Sequence, residues 1–268
     1  MALKRGARDG GYLDFAHDLA DISAAAILPY FRRRLTVTNK GSGTMFDPVT
    51  VADRAAEKVM RTAIEARFPD HGILGEEFPE RKGSSPHRWL LDPIDGTRAF
   101  IMGSPVWGTL LGLTEDGEPS VGLMNQPFTG ERFWSAGKGA HMRDPGGRTR
   151  KLSTRRCTSL SDAILTTTHP DLFASRGDAA AFKRLRERAR MTRFGGDCYG
   201  YCLLAAGFVD LVVEAGLKPY DIVPLIPIIE GAGGRVTTWE GDPATQGGRI
   251  LAAGDVRLHE EAMKVLRG

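Results

Sequence analysis

The stretch Trp89-Leu90-Leu91-Asp92-Pro93-Ile94-Asp95-Gly96-Thr97 constrains this chain more than any other. Its three apolar residues read as a buried strand, which runs into two carboxylates and breaks at Gly96. Acids at the end of a buried strand are costly unless something positive sits between them. Oxygen ligands at a sharp turn suit a hard cation such as Mg2+. A helix is expected after Gly96, with Thr97 near its first turn, and the free N–H groups of a helix start attract phosphate. One turn would then hold both a metal and the anion it acts on. The plainer alternative is an Asx-type turn between strand and loop.

With 268 residues, the chain fits one large domain or two tightly packed ones and can bury a sizeable core. Its 41% hydrophobic and 26% charged content is ordinary for a soluble globular protein. A net charge of +3 argues against a dedicated nucleic-acid binder and is compatible with an anionic substrate. Cys157, Cys198 and Cys202 form no paired framework, which points to a reducing compartment. The N-terminal residues show no apolar signal core, and no run of about 18 apolar residues occurs anywhere. The expectation is a cytoplasmic protein without a membrane partner.

Periodicity predicts an amphipathic helix over residues 12–34, kinked at Pro29, with Arg32, Arg33 and Arg34 solvated near its end. Residues 40–47 form a Gly-rich loop whose Lys precedes the glycines, unlike a phosphate-binding Gly-x-x-x-x-Gly-Lys loop. A second helix is expected over residues 50–67, with Val51, Ala55, Val59 and Ala63 on one side and Asp53 and Glu57 sharing a face. On its own, Asp53 reads as ordinary pairing with the helix dipole. A short strand at residues 72–75 ends in Glu76 and Glu77, of which only one can face a common site. Strands over 108–114, 119–126 and 132–135 suggest an antiparallel meander, and 137–150 reads as a connector. Beyond it, strands and helices alternate, as in a sheet covered by helices. The basic helix at 178–190 reads as a solvated face, since Glu187 interrupts it and no aromatic stripe accompanies it. The six histidines have no zinc-ligand spacing, Cys198 and Cys202 read as small buried hydrophobes, and no Gly-x-Ser-x-Gly elbow occurs.

Three segments together resemble the inositol monophosphatase family of Mg2+-dependent phosphatases. They are Gly75-Glu76-Glu77, then Asp92-Pro93-Ile94-Asp95-Gly96-Thr97, and Tyr220-Asp221-Ile222-Val223-Pro224 followed by Glu230-Gly231-Ala232-Gly233-Gly234. They come in the family's order and roughly its spacing, and the likeness runs from about Tyr12 to the C-terminus. The resemblance implies a layered αβαβα sandwich of the α/β (α+β) class. It forms one domain over residues 1–268, with halves at about 1–150 and 151–268, and usually a homodimer. It implies two or three Mg2+ ions. Glu76, Asp92 and the main-chain carbonyl of Ile94 would hold the first, and Asp92, Asp95 and Asp221 the second, with Glu76 supporting a weaker third. Asp53 and Thr97 would orient the attacking water, the Gly96–Thr97 backbone would bind phosphate, and residues 40–47 would be a lid. Such an assembly meets the chemical need, because phosphate monoesters repel nucleophiles and release a poor leaving group.

The later segments should choose the alcohol. Gly195, Gly196, Asp197 and Glu214 sit where relatives bind the organic part of the substrate, and Asp95 and Asp221 are expected to contact substrate as well. The run Arg193-Phe194-Gly195-Gly196-Asp197-Cys198-Tyr199 resembles the histidinol-phosphate phosphatase branch, as does Thr97-Arg98-Ala99-Phe100. A carboxylate at Asp197 or Glu214 can pair with the amine and imidazole of histidinol, whereas a polyol needs neutral partners. Asp197 also reads as the N-cap of the helix that follows, and both roles are compatible. The expected activity is therefore histidinol-phosphate hydrolysis. The alternatives are an inositol or broader sugar phosphatase, or a non-catalytic regulatory protein on the same scaffold.

Overall fold

The computed structural model describes residues 11–34, 37–39 and 48–268. The proposed lid, residues 40–47, lies outside them. Helix Tyr12–Ile27 starts where periodicity places it but does not run on to residue 34. Proline has no N–H and its ring crowds the carbonyl one turn back. Accordingly Leu28–Tyr30 tightens into a 3-10 turn with Pro29 inside it, so the helix ends rather than kinks. Arg32 follows in the left-handed region at φ 58. Its guanidinium lies over the Phe128 ring at 4.5 Å, and its Nε donates to the Gly103 carbonyl at 3.0 Å. It therefore pins a turn of the chain rather than serving the helix dipole.

Helix Val51–Arg67 is capped by Thr50, whose hydroxyl accepts the Ala52 N–H at 3.1 Å. Its buried face is Ala52, Ala56, Met60 and Ile64, not the Val51 side that the sequence suggested, and Val51 and Val59 are exposed. Asp53 and Glu57 do share a face, and both are buried.

A seven-stranded sheet follows, in the order Gly72–Gly75, His87–Asp95, Gly108–Glu115, Glu118–Gln126, Glu131–Ser135, Ala140–Arg143 and Thr149–Lys151. Only the first pair is parallel. The expected meander is present, but the supposed connector over 137–150 contains one strand and opens a second. Ala140 and Met142 alternate inward there, a pattern too short to read from two apolar residues.

The second sheet has five strands, ordered Met191–Phe194, Ile164–Thr167, Leu211–Leu217, Gly248–Ala253 and Arg235–Thr238. The first three are parallel and the last two antiparallel. Helices Tyr12–Ile27 and Val51–Arg67 cover the outer face of the first sheet around Trp89, Leu91 and Leu111. Helices Arg176–Arg188 and Val256–Arg267 cover the outer face of the second. Between the sheets lie Asp197–Ala205 and Ile226–Gly231, which share a core with both. The result is a mixed α/β sandwich of five layers. After Leu211–Leu217 the chain runs through two short helices, Pro219–Ile222 and Ile226–Gly231. At the break, Pro224 fills the space that side chains would take at Gly112 and Gly122, seating the Asp221 segment on the first sheet. Among the described residues no helix is long and apolar enough to cross a membrane.

Candidate active site

Side chains alternate along a strand, so Asp92 and Asp95 should point to opposite faces of His87–Asp95. A bulge brings them round. Asp92 pairs with Leu110 and Asp95 with Gly108, so three steps on one strand face two on the other. Pro93 sits inside the bulge, where its missing N–H breaks no ladder bond. Its carbonyl accepts the Thr109 hydroxyl at 2.8 Å. Asp92 Oδ1 accepts the Ile94 N–H at 3.0 Å, which makes the plain Asx-type turn part of the answer. Gly96 then turns left-handed at φ 88, with Val106 O only 3.1 Å and Asp197 Cβ 3.3 Å from where a Cβ would stand. A side chain would be both strained and crowded there. Thr97 opens helix Thr97–Met102, and its hydroxyl donates to the Ile94 carbonyl at 3.1 Å.

Asp221 arrives from the other half of the chain, in the first turn of Pro219–Ile222, and accepts the Lys218 N–H at 2.7 Å. One oxygen each of Asp92, Asp95 and Asp221 lies within 4.8 Å of the others. Glu76 is not one of these three. Its N–H donates to the Leu91 carbonyl at 3.2 Å, and its charge acts on Asp92, Asp53 and Asp221. Asp53 is fully buried, with Oδ2 accepting the Thr50 N–H at 2.8 Å and the Thr50 hydroxyl at 2.5 Å. Its Oδ1 is buried and has no hydrogen-bond partner.

These acids are held far from their ordinary behaviour. Burial first, and then the charge of Glu76 and Asp95, pushes Asp92 well above the carboxylate range. Burial and then Asp221 raise Asp95 to about 8. Asp221 rises to about 7 and Asp53 to about 6, with burial as the main cause in both. Crowded carboxylates in a dry site keep protons unless a cation replaces them. An all-oxygen donor set suits a hard divalent ion, and the orphaned Asp53 oxygen points to a missing polar partner. The donor chemistry therefore fits a metal centre.

A cleft opens beside this cluster, lined by Asp95, Thr168, Asp197, Tyr201, Glu214 and Asp221 among others. Thr168 and Gly195 directly follow the carboxyl ends of two parallel strands, where ligands of open α/β sheets gather, and Glu214, in the middle of Leu211–Leu217, meets Thr168 there. Gly195, at φ 84, donates its N–H to the Thr168 carbonyl at 2.9 Å. Gly196 is the N-cap residue of Asp197–Ala205 and offers no side chain. Asp197 is therefore not the N-cap. It adopts φ 44, and its N–H donates to the Thr168 hydroxyl at 3.2 Å. The capping acceptor is Asp95, whose Oδ1 takes the Cys198 N–H at 2.7 Å from across the molecule. Asp197 is raised to about 8, by burial and then by Asp95 and Glu214, with Arg98 pulling the other way. Glu214 is buried and already occupied. It accepts the Thr168 N–H at 2.8 Å, the Thr168 hydroxyl at 2.5 Å and the Tyr201 hydroxyl at 3.2 Å. Sequence reasoning missed Thr168 and its tie to Glu214. The only available signal was its place at the end of the apolar and β-branched run over residues 163–168.

Comparison with known proteins gives a coherent answer. The model of the inositol monophosphatase family matches residues 11–267. The chain is 42% identical over 259 residues to the bifunctional phosphatase IMPL2, chloroplastic, of Arabidopsis thaliana, covering 92% of this chain and 72% of that one. It is 38% identical over 224 residues to a histidinol-phosphatase of Chlorobaculum parvum, covering 83% of each. Among solved structures, an inositol monophosphatase from Zymomonas mobilis superposes with a TM-score of 0.86 at 42% identity, over 98% of this chain and 100% of that one.

Proposed function

The chain belongs to the inositol monophosphatase family of phosphoric monoester hydrolases, and from that premise we propose that it is an Mg2+-dependent histidinol-phosphate phosphatase. The observation that carries the substrate reading is Asp197. Its backbone is turned to φ 44, it caps nothing, and it lines the same cleft as Asp95 and Asp221. A carboxylate kept in a negative, half-buried cleft favours a cationic group on the incoming alcohol. The histidinol-phosphatase likeness supports the same choice.

In this reading Glu76, Asp92, Asp95, Asp221 and the Ile94 carbonyl hold two or three Mg2+ ions. When bound, these neutralise the phosphate and make water a better nucleophile. The chain's own groups do the rest. The Gly96–Thr97 backbone receives the phosphate. Asp53, with Oδ2 tied to Thr50 and Oδ1 free to accept, orients the attacking water together with the Thr97 hydroxyl. The water oxygen bonds to phosphorus, the ester P–O bond breaks on the opposite side, and the departing alkoxide takes up the proton that the attacking water gives up and leaves as L-histidinol. Glu214 acts through Thr168, holding the cleft wall rather than offering a free oxygen to substrate. The reading also includes a homodimer working in the cytoplasm.

The test is phosphate release from L-histidinol phosphate and from myo-inositol 1-phosphate, side by side, with Mg2+ and with EDTA. A strong preference for the histidinol ester, abolished by EDTA, is expected. Preference for the inositol ester would keep the metal chemistry and transfer the assignment to inositol phosphates, the reading that the Zymomonas mobilis likeness favours.

A further inference from the structure

Helix Val51–Arg67 carries Asp53, Glu57 and Arg61 at four-residue steps, so all three lie along one face. Asp53 belongs to the site described above, but Glu57 does not reach it. Glu57 is fully buried all the same, and its carboxylate is spent on one short segment. Its Oε2 accepts the Glu77 N–H at 2.7 Å. Its Oε1 accepts the Arg61 Nε–H at 2.7 Å, and Arg61 in turn donates through a second nitrogen to the Phe78 carbonyl at 3.0 Å. The backbone at Gly75 packs directly on the carboxylate, since a Cβ there would stand 2.1 Å from Glu57 Oε1. Residues 75, 77 and 78 are thus gripped from one side by the helix. Glu76, between them, is gripped from the other side, through its N–H to the Leu91 carbonyl next to Asp92.

We propose that Glu57, braced by Arg61, is a positioning residue that fixes the Gly75–Phe78 turn so that Glu76 faces Asp92 and completes the cation site. The inference rests on the metal-dependent phosphatase reading. The physical reason is that a carboxylate after a strand end has two ways to point, and a one-residue slip would exchange Glu76 for Glu77. A buried carboxylate that accepts the Glu77 N–H makes only one of these registers compatible with satisfied polar groups. The same helix then sets both Asp53 and Glu76 against the cluster. Groups that orient a metal ligand typically control affinity or activity by about 10–100-fold.

Glu57→Gln is the direct test, because the amide keeps the shape but must turn an N–H towards either the Glu77 N–H or Arg61. Mg2+ binding is measured by titration calorimetry on the substrate-free protein, alongside kcat, KM and melting temperature. The expected result is Mg2+ affinity weakened by about 10–100-fold, kcat at fixed Mg2+ reduced and partly recovered by excess Mg2+, and KM little changed. A second variant, Arg61→Met, keeps the carboxylate and removes its brace, with a smaller loss of affinity expected, and it serves if Glu57→Gln does not fold. A lower melting temperature with Mg2+ affinity unchanged in the folded variants would make Glu57 merely structural and overturn the proposal. Asp92→Asn separates the premise from the inference. If the parent binds no Mg2+, or binds it equally well with Asp92→Asn, the metal reading fails and this inference with it. If Asp92→Asn abolishes binding and Glu57→Gln does not alter it, only the positioning role fails.

Discussion

Strand Leu211–Leu217 has one buried acid just before it and another at its middle, and the two are finished in opposite ways. Asp210, just before it, is fully shielded and accepts the Arg155 Nε–H at 2.9 Å and the Ile164 N–H at 2.7 Å. At the middle of the strand Glu214 lines a cleft with Asp95, Asp197 and Asp221. Among the described residues no arginine or lysine forms an ion pair with Asp92, Asp95 or Asp221. At the first end the fold supplies its own cation, and the acid contributes to stability. Around Glu214 basic groups act only as neighbouring charges, Lys218 on Asp221 and Arg98 on Asp197, and burial with mutual repulsion keeps the acids above the carboxylate range. A site that must take up a cation has to be built this way, because a resident guanidinium would occupy its place.

The largest expected effect breaks the comparison at its acidic end. Asp92→Asn should lower kcat/KM by roughly a thousandfold or more, as loss of several kcal/mol of charge stabilisation implies, with the circular dichroism spectrum retained. In EDTA, at a pH alkaline enough to ionise the cluster, the same variant should melt higher than the parent, since it removes one of several repelling charges. A lower melting temperature there would contradict the account of the cluster.

Next in size is Asp197→Ala. A charge-assisted hydrogen bond of about 1.5–3 kcal/mol predicts a loss of about 10–100-fold in kcat/KM for L-histidinol phosphate. Hydrolysis of a phosphate ester lacking the amine should change little, and a uniform loss on both substrates would count against Asp197 as the selector.

The paired end should respond in the opposite sense. Arg155→Met leaves Asp210 buried beside only backbone donors, and denaturant titration should show it less stable by about 1–2 kcal/mol. The figure sits low in the range for broken pairs because Arg155 is itself half exposed. Activity per folded molecule should stay at the parent level.

The smallest effect is the pH profile. Asp95 and Asp221 have folded-state values of about 8 and about 7, above those of an unfolded chain. The folded protein therefore binds more protons, and the stability linked to them is complete only below the unfolded value of 3.8 and is lost progressively as pH rises from there to the folded values of about 7 and about 8. Melting in EDTA should fall over that window. The gain on adding Mg2+ should grow over the same window, because the ion then no longer displaces protons. A flat difference between the two curves would show that the cluster does not take up the ion.

Much of the site was legible because its acids lie in short motifs with special local geometry. Asp92, Asp95 and Gly96 belong to one strand end, and the need for oxygen donors at a turn can be read from residue types alone. The substrate side was less legible. Asp197 looked like an N-cap because helix starts are usually capped locally, yet Asp95 accepts that N–H from 103 residues away in sequence. Glu214 read as an acceptor for substrate, and its ties to Thr168 and Tyr201 could not be read from residue types.

Local chemistry determined by itself that this chain carries a turn able to hold oxygen-bound cations, and hydrophobic periodicity placed most of its strands and helices. What only the tertiary structure decided is which face of a helix is inside. On Val51–Arg67 the apolar residues alone suggested the Val51 side, but the buried side is the one bearing Asp53 and Glu57. Burying an acid is unfavourable on any local scale and becomes tolerable only when distant groups meet it. Here those groups include the Glu77 N–H for Glu57, while Asp53 keeps one buried oxygen without a partner.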